Sequence, residues 1–183
     1  MVEGPGATRN ANKARRLVGF INQSNGQVLT QVLSVGKEVF LVFDNDDDNN
    51  LAIRLHFGMN GSLGSHKRQS IWGNTDKVDD TPTYEMQFLT TEAYTQIETI
   101  ICYSTAVSHL TATVARSKYE RLCCLDVCAP EEQFDSQKVL QALRSRPTAM
   151  LADVLLDQNR FPGVGNIIKV EGLHRAKLHP DLA

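Results

Sequence analysis

Residues 161–171 read FPGVGNIIKVE: a proline, two glycines and an asparagine set directly before an apolar run of helical period. The pattern predicts a tight turn that hands over to a helix, since glycine supplies the backbone freedom and proline the fixed φ that such a turn needs. Two readings stay open. One is structural punctuation and nothing more. The other is an anion site, in which Gly163 and Gly165 bring the backbone close to a ligand and the next helix points its free N–H groups at a phosphate.

Working outward, helical periodicity holds upstream. Asp135 or Ser136 is placed to cap QKVLQALRSR (137–146), and Pro147 stops that run. Thr148 is placed to cap AMLADVLLDQN (149–159), whose Met150, Leu151, Val154 and Leu155 form one apolar stripe. Downstream, Gly172 and His179-Pro180 mark the end of IIKVEGLHRA (167–176). Before residue 116 the pattern changes. QVLTQVLSV (27–35), KEVFLVF (37–43), LAIRLHF (51–57), TYEMQFL (83–89) and QIETIICY (96–103) are rich in β-branched and aromatic residues and read as strands. In LAIRLHF, Ile53, Leu55 and Phe57 fall on one face and Arg54 and His56 on the other, the mark of a half-buried strand. GMNGSLGS (58–65) reads as a glycine-punctuated turn and residues 65–82 as a mobile loop. The fold class expected is α+β, with a β-sandwich-like N-terminal module over residues 1–115 and a helical module over 116–183.

The 183 residues suffice for one good-sized core or two small ones, with the apolar and charged fractions of an ordinary globular protein. A net charge of -2 excludes broad basic character, so any nucleic-acid binding needs a local patch. Arg160, Lys169, Arg175 and Lys177 supply one, while the acidic run 44–50 reads as a solvated loop. No stretch has the apolar length of a membrane span, and the N-terminus lacks the plan of a signal peptide, so an intracellular chain is expected. Cys102, Cys123, Cys124 and Cys128 contain no CxxC pair, so neither a zinc ribbon nor a disulfide framework is expected.

The residues with chemical potential lie at both ends. Removal of Met1 would leave Val2 with a free α-amine of pKa about 8, a nucleophile near neutral pH. An amine attacking a sugar C1′ displaces a base and leaves a Schiff base, and Glu3 stands next to it as acid or base. Most N-terminal amines do nothing of the kind. Lys37 opens a strand after a glycine, either as a cation aimed at a ligand or as a solvated edge lysine. Met59 and Asn60 sit where a turn can reach into a groove, although methionine is more often a core filler. His56 reads as a half-exposed structural histidine. PGVG is also the hairpin of helix-hairpin-helix modules, whose backbone N–H groups hold a phosphate.

Taken in order, MVEGPG (1–6), GKEVFLVF (36–43), LAIRLHFGMNGSLG (51–64), LDVCAP (125–130), LADVLLDQN (151–159) and PGVGNIIKVEGLHRAKLHP (162–180) resemble the formamidopyrimidine-DNA glycosylase / endonuclease VIII family. The resemblance implies removal of damaged bases from DNA, a helix-two-turn-helix element at PGVGNIIK, a nuclear location and a monomer. Residue by residue, Val2 matches the amine nucleophile, Glu3 its acid/base partner and Lys37 the strand lysine that touches the DNA backbone. Met59 matches the position inserted where the damaged nucleotide is flipped out. Asn166 matches the phosphate-binding asparagine, with Gly163, Gly165 and Lys169 beside it, and Glu171 matches a carboxylate on the same helix.

Three departures qualify the match. CYSTAVSHL (102–110) stands where many members carry an arginine-bearing loop that fills the gap left by the flipped base, which implies a preference for single-stranded or forked DNA bearing oxidised bases such as hydantoins, and extends to unhooking of interstrand crosslinks. Only about thirty residues separate VEGPG from GKEVF, so an early helix and some strands are expected to be lost. The family's zinc finger has no counterpart, so no cofactor is expected and a truncated form is. A primary amine implies glycosylase activity stronger than strand cleavage. The rival expectation is a non-catalytic DNA-binding remnant.

Overall fold

The computed structural model describes residues 2–44, 50–65, 81–90 and 97–182. The chain opens with a helix, α1 (Gly4–Arg15), followed by strands β1 (Ile21–Asn22), β2 (Val28–Val35), β3 (Glu38–Asp44), β4 (Leu51–Gly64), β5 (Tyr84–Leu89) and β6 (Ile97–Thr111). Helices α2 (Ala112–Leu122), α3 (Ser136–Arg144), α4 (Leu151–Leu156) and α5 (Asn166–Ala176) complete it. The strands pair antiparallel in the order β1-β2-β3-β4-β6-β5 and close into a barrel through β1 and β5. The α+β class stands, and the sandwich-like module is realised as a sheet closed on itself.

β3 explains the layering. Its residues Glu38 to Phe43 are all buried, as a strand covered on both faces must be. Val39, Leu41 and Phe43 join a core with Ile53, Leu55 and Phe57 of β4 and Phe88 of β5. The Phe43 and Phe88 rings stack across it with centroids 6.3 Å apart. Phe40 and Val42 face the other way and pack with Ala112, Ala115 and Leu122 of α2. Ala7, Ala11 and Ala14 lay one small-residue stripe of α1 on the first core. A third cluster, Val154, Phe161 and Val164, with Val139, Leu143 and Ile168 against it, joins the C-terminal helices.

Several expectations need correction. The early helix is present: Pro5 starts it, where its missing N–H costs nothing, and the alanine stripe anchors it. Residues 58–65 are not a turn, because β4 runs through to Gly64 with a bulge in its pairing to β6. Phe57 opposes Thr105 but Ser62 opposes Tyr103, so 58–61 is looped out of register. Residues 102–110 are not a loop either. They are the centre of β6, paired to β4, so the missing arginine there carries no information about a void-filling loop. Thr148 does not cap α4, whose N-cap is Met150, and α5 runs through Gly172 to end at Lys177 in the left-handed conformation. The cap at α3 is Asp135, which accepts from the N–H groups of Gln137 and Lys138. The acidic run over 45–49 and the loop over 66–80 lie outside the described residues.

Candidate functional site

The turn before α5 and the start of α1 are built into each other. Gly4 N–H donates to the Gly163 carbonyl at 2.9 Å. Glu3, 8 % exposed, sends its carboxylate across the junction, where Oε1 accepts from Ile167 N–H at 2.8 Å and Oε2 from Ile168 N–H at 3.0 Å. These are two of the unsatisfied N–H groups that every helix start presents, and the helix dipole favours an anion there. Thus the anion held at the start of α5 is the chain's own glutamate.

The two glycines serve this junction. Gly163 has φ +86°, and a Cβ there would stand 3.0 Å from Gly4 Cα and 3.4 Å from Gly36 Cα. At Gly165 a Cβ would meet Glu3 Oε1 at 2.3 Å. The close approach expected toward a ligand is, in the structure, an approach between segments of the chain.

Val2, half-buried, lines a cavity of about 560 Å³ together with Glu3, Arg9, Gly61, Ser62 and Ile167. The bulge in β4 is what delivers Gly61 and Ser62 to this wall, a common use of bulges beside functional sites. Met59 belongs to the same bulge, and its side chain lies outside the described residues. Asn166 is the exposed first residue of α5, and its Oδ1 accepts from Lys169 Nζ at 3.1 Å. Glu171 is exposed and pairs with Arg175 at 2.6 Å.

Lys37 does not share that cavity. It lines a smaller one, of about 90 Å³, with His56, Lys118, Gln158 and Asn159. There Glu38 gathers Arg54 and Lys118, the latter at 2.5 Å. Burial alone would raise the Glu38 pKa, but the hydrogen bonds from Arg54 and Lys118 outweigh it and hold the carboxyl below its usual value. Burial, more than its neighbours, pushes the His56 pKa down, and His56 Nδ1 is buried with no hydrogen-bond partner among the described residues.

One buried carboxylate that sequence reasoning missed braces the turn before Lys37. Asp126, 3 % exposed, accepts from Gly36 N–H at 2.6 Å and from Cys128 N–H at 2.8 Å. It thereby fixes the turn that precedes Lys37, and Gly36 in turn packs on Pro162 and Gly163. Burial raises the Asp126 pKa despite these bonds. The signal was available in LDVCAP, a polar residue inside an apolar stretch, but its partner lies ninety residues away in sequence. Arg9, Asn10 and Lys13, at helical spacing on α1, were missed because no helix was expected there. Among the described residues no group of three or more His, Cys, Asp or Glu is placed to hold a metal ion, and the four cysteines are free thiols.

No family model matches the chain. Endonuclease 8-like 3 of Bos taurus is 32 % identical over 164 residues, 89 % of this chain and 24 % of that protein. The Homo sapiens protein of the same name is 34 % identical over 157 residues, 85 % of this chain and 23 % of its own length. The chain therefore spans about a quarter of these relatives. Among solved structures, a viral DNA glycosylase superposes with a TM-score of 0.77 at 20 % identity, covering 99 % of this chain and 72 % of the other. Lactococcus lactis formamidopyrimidine-DNA glycosylase, non-covalently bound to DNA with an abasic site, gives 0.63 at 17 % identity over 98 % and 72 %. Over most of its length, then, the chain is a homologue of the endonuclease 8-like 3 proteins, built on the fold of the formamidopyrimidine-DNA glycosylase / endonuclease VIII family.

Proposed function

We propose that the chain is a DNA glycosylase of base-excision repair, with weak strand-cleaving activity, acting through the α-amine of Val2 once Met1 is removed. The observation that carries this reading is the convergence of Val2 and a buried Glu3, locked by two backbone N–H groups, in one cavity at the start of α5.

The chemistry follows from that placement. The neutral amine of Val2 attacks C1′ of the damaged nucleotide, the C1′–N glycosidic bond breaks, and the base leaves with the electron pair and takes up a proton. The nitrogen then gives up one proton, O4′ gains one and the C1′–O4′ bond breaks, leaving a protonated Schiff base. Glu3 carries that proton from nitrogen to O4′. Its two oxygens are fixed by Ile167 and Ile168, so it meets the sugar without reorganising. Water returns the amine, and the slower loss of a C2′ proton expels the 3′ phosphate.

Asn166 and Lys169 on the exposed start of α5 hold a DNA phosphate, and Lys37 a second one nearby. Met59 enters the space vacated by the everted nucleotide. Gly163 and Gly165 act on DNA only indirectly, by seating Glu3. Damaged DNA is the partner; monomeric state and nuclear location belong to the same proposal and rest on the sequence resemblance, as does a single-stranded or forked substrate, which no longer draws support from residues 102–110.

The test is borohydride trapping on a single-stranded oligonucleotide with an abasic or hydantoin site, with mass spectrometry of the adduct and a Met1-retaining chain as control. A covalent adduct at Val2 that disappears in the control is the expected result. No adduct from folded, Met1-trimmed protein leaves a non-catalytic DNA-binding chain.

A further inference from the structure

Three glycines from distant parts of the chain meet at one place, and each stands close to a residue that the proposed chemistry uses. Gly4 follows Glu3, Gly36 precedes Lys37, and Gly163 lies in the turn that opens α5. A Cβ on Gly163 would stand 3.0 Å from Gly4 Cα, 3.4 Å from Gly36 Cα and 3.5 Å from Asp126 Oδ1. A Cβ on Gly36 would stand 3.1 Å from Gly163 N and 3.2 Å from Pro162 Cβ. Backbone packs on backbone here, so a shift in one segment passes to the next with no side chain between them to absorb it. The turn before α5 also faces two ways: Pro162 belongs to the wall of the Lys37 cavity, and Gly165 packs on the Glu3 carboxylate.

Gly4 is tied into this contact by its N–H bond to the Gly163 carbonyl. Gly36 is tied from outside it, by Asp126, whose Oδ2 accepts the Gly36 N–H at 2.6 Å. Asp126 Oδ1 accepts from Cys128 N–H at 2.8 Å, so both oxygens are directed. The residue is buried, and no cation of the described residues pairs with it. A neutral acceptor would cap the same turn at a lower desolvation cost. What a carboxylate adds is a shorter and stronger bond, which fixes where Gly36 lies.

We propose that Asp126 is a positioning residue: by holding Gly36 against the Gly163 turn it sets Lys37 at a fixed place relative to Glu3, so that a backbone phosphate and the reacting sugar of one strand are held together. Without that bond the turn at Gly36 shifts and Lys37 leaves the phosphate, while Glu3 keeps its seat on Ile167 and Ile168. The inference rests on the proposed glycosylase reading and adds to it the residue that spaces its two contacts with DNA.

The test compares the parent chain with Asp126→Asn, Lys37→Ala and the double variant, each trimmed at Met1 and shown to be folded by circular dichroism. The probe is a single-stranded oligonucleotide carrying a tetrahydrofuran abasic analogue, titrated over a range of salt concentrations. Lys37→Ala is expected to reduce the slope of log affinity against log salt by about 0.7, the loss of one phosphate contact on a single strand. Asp126→Asn is expected to reduce it by nearly as much, and the double variant by no more than Lys37→Ala alone. Removal of a negative charge would by itself strengthen DNA binding, so weaker binding with a flatter slope marks a lost contact and not a change in net charge. Gly36→Ala presses on Gly163 and leaves Asp126 in place; it disturbs the same contact and is expected to flatten the slope as well, which keeps the test decisive if Asp126→Asn does not fold. Borohydride-trapped adduct with an abasic oligonucleotide is expected to fall about tenfold in Asp126→Asn, part of the loss that a displacement of about 1 Å brings. An unchanged slope in Asp126→Asn, or a further drop in the double variant below Lys37→Ala, would mean that Asp126 serves stability alone, and the inference fails. It fails too if Lys37→Ala leaves the slope unchanged, since Lys37 then holds no phosphate. If the parent chain gives no adduct with abasic DNA, the glycosylase reading fails, while the salt titration still decides the role of Asp126.

Discussion

Glu3 and Glu38 are withdrawn from solvent to nearly the same degree, 8 % and 9 % exposed, yet the chain holds them in opposite ways. Glu38 sits on the outer face of the barrel between two cations, Arg54 and Lys118, so its charge is balanced where it lies. Glu3 sits at the junction of α1 and α5 with no cation of the described residues paired to it, held by backbone N–H groups alone. Backbone donors fix direction and leave the charge uncompensated by any side chain. On the proposed reading, a carboxylate that faces a substrate is served by the second arrangement, and one that ties a sheet to a helix by the first.

The largest effect expected from breaking this contrast is at Gly165. Gly165→Ala puts a methyl group 2.3 Å from Glu3 Oε1, so the carboxylate must leave its seat. Adduct formation is expected to fall by about a hundredfold or more, since displacement by about 1 Å has that cost. Circular dichroism and the adduct yield, read together, separate loss of the seat from loss of the fold. Next comes Asp126→Ala, which strands the N–H groups of Gly36 and Cys128 in the interior. It is expected to lower stability by about 2–3 kcal/mol in urea denaturation, the cost of orphaned buried donors less the relief of burying a carboxylate.

Glu38→Gln removes the balanced pair and is expected to cost about 1–2 kcal/mol at pH 7, held down because Arg54 and Lys118 are each about a third exposed to solvent. The two carboxylates have opposite signs against pH. The lowered pKa of Glu38 means that its contribution is in place above the pKa it has in the unfolded chain and disappears as pH falls through the folded value. The raised pKa of Asp126 means that its contribution is fullest below its unfolded pKa and declines as pH rises through the folded value. Stability measured from pH 3 to 7 is thus expected to lose part of its acid-side fall in Glu38→Gln and to keep it in Asp126→Ala. The smallest effect serves as the internal reference. Gly172 lies within α5, and a methyl group added there would find nothing within 4 Å, so Gly172→Ala is expected to raise stability by about 0.5–1 kcal/mol and leave the adduct yield alone.

What the sequence revealed, and what it hid, follows the range of the forces involved. The alternation in LAIRLHF was enough to place Ile53, Leu55 and Phe57 inward and Arg54 outward, because the two faces of a strand are a local property. The cap at Asp135 and the turn into α5 were equally local. The bulge at 58–61 looked like a turn because its glycines are those of a turn, and only pairing with β6, some forty residues on, shows that the strand resumes. The alanine stripe of α1 stood in plain view at positions 7, 11 and 14, but alanine is too small to signal a buried face by hydrophobicity. Val2 and Glu3, which the structure sets in one cavity, were legible as residue types. Its geometry was not, since Glu3 and its helix are 164 residues apart and no spacing rule spans such a distance.

That separation has a consequence for the order of synthesis. A chain emerges from the ribosome N-terminus first, and domains tend to fold as they emerge. Here Glu3 leaves the ribosome well before residues 167 and 168, whose backbone groups seat it. The barrel has all its strands by residue 111. During the remaining translation the barrel carries a carboxylate, Glu3, that has nothing to hold it. The seating of Glu3 therefore works as a check that α5 has been made and docked, and a ribosome that stalls before it yields a barrel with Glu3 unseated.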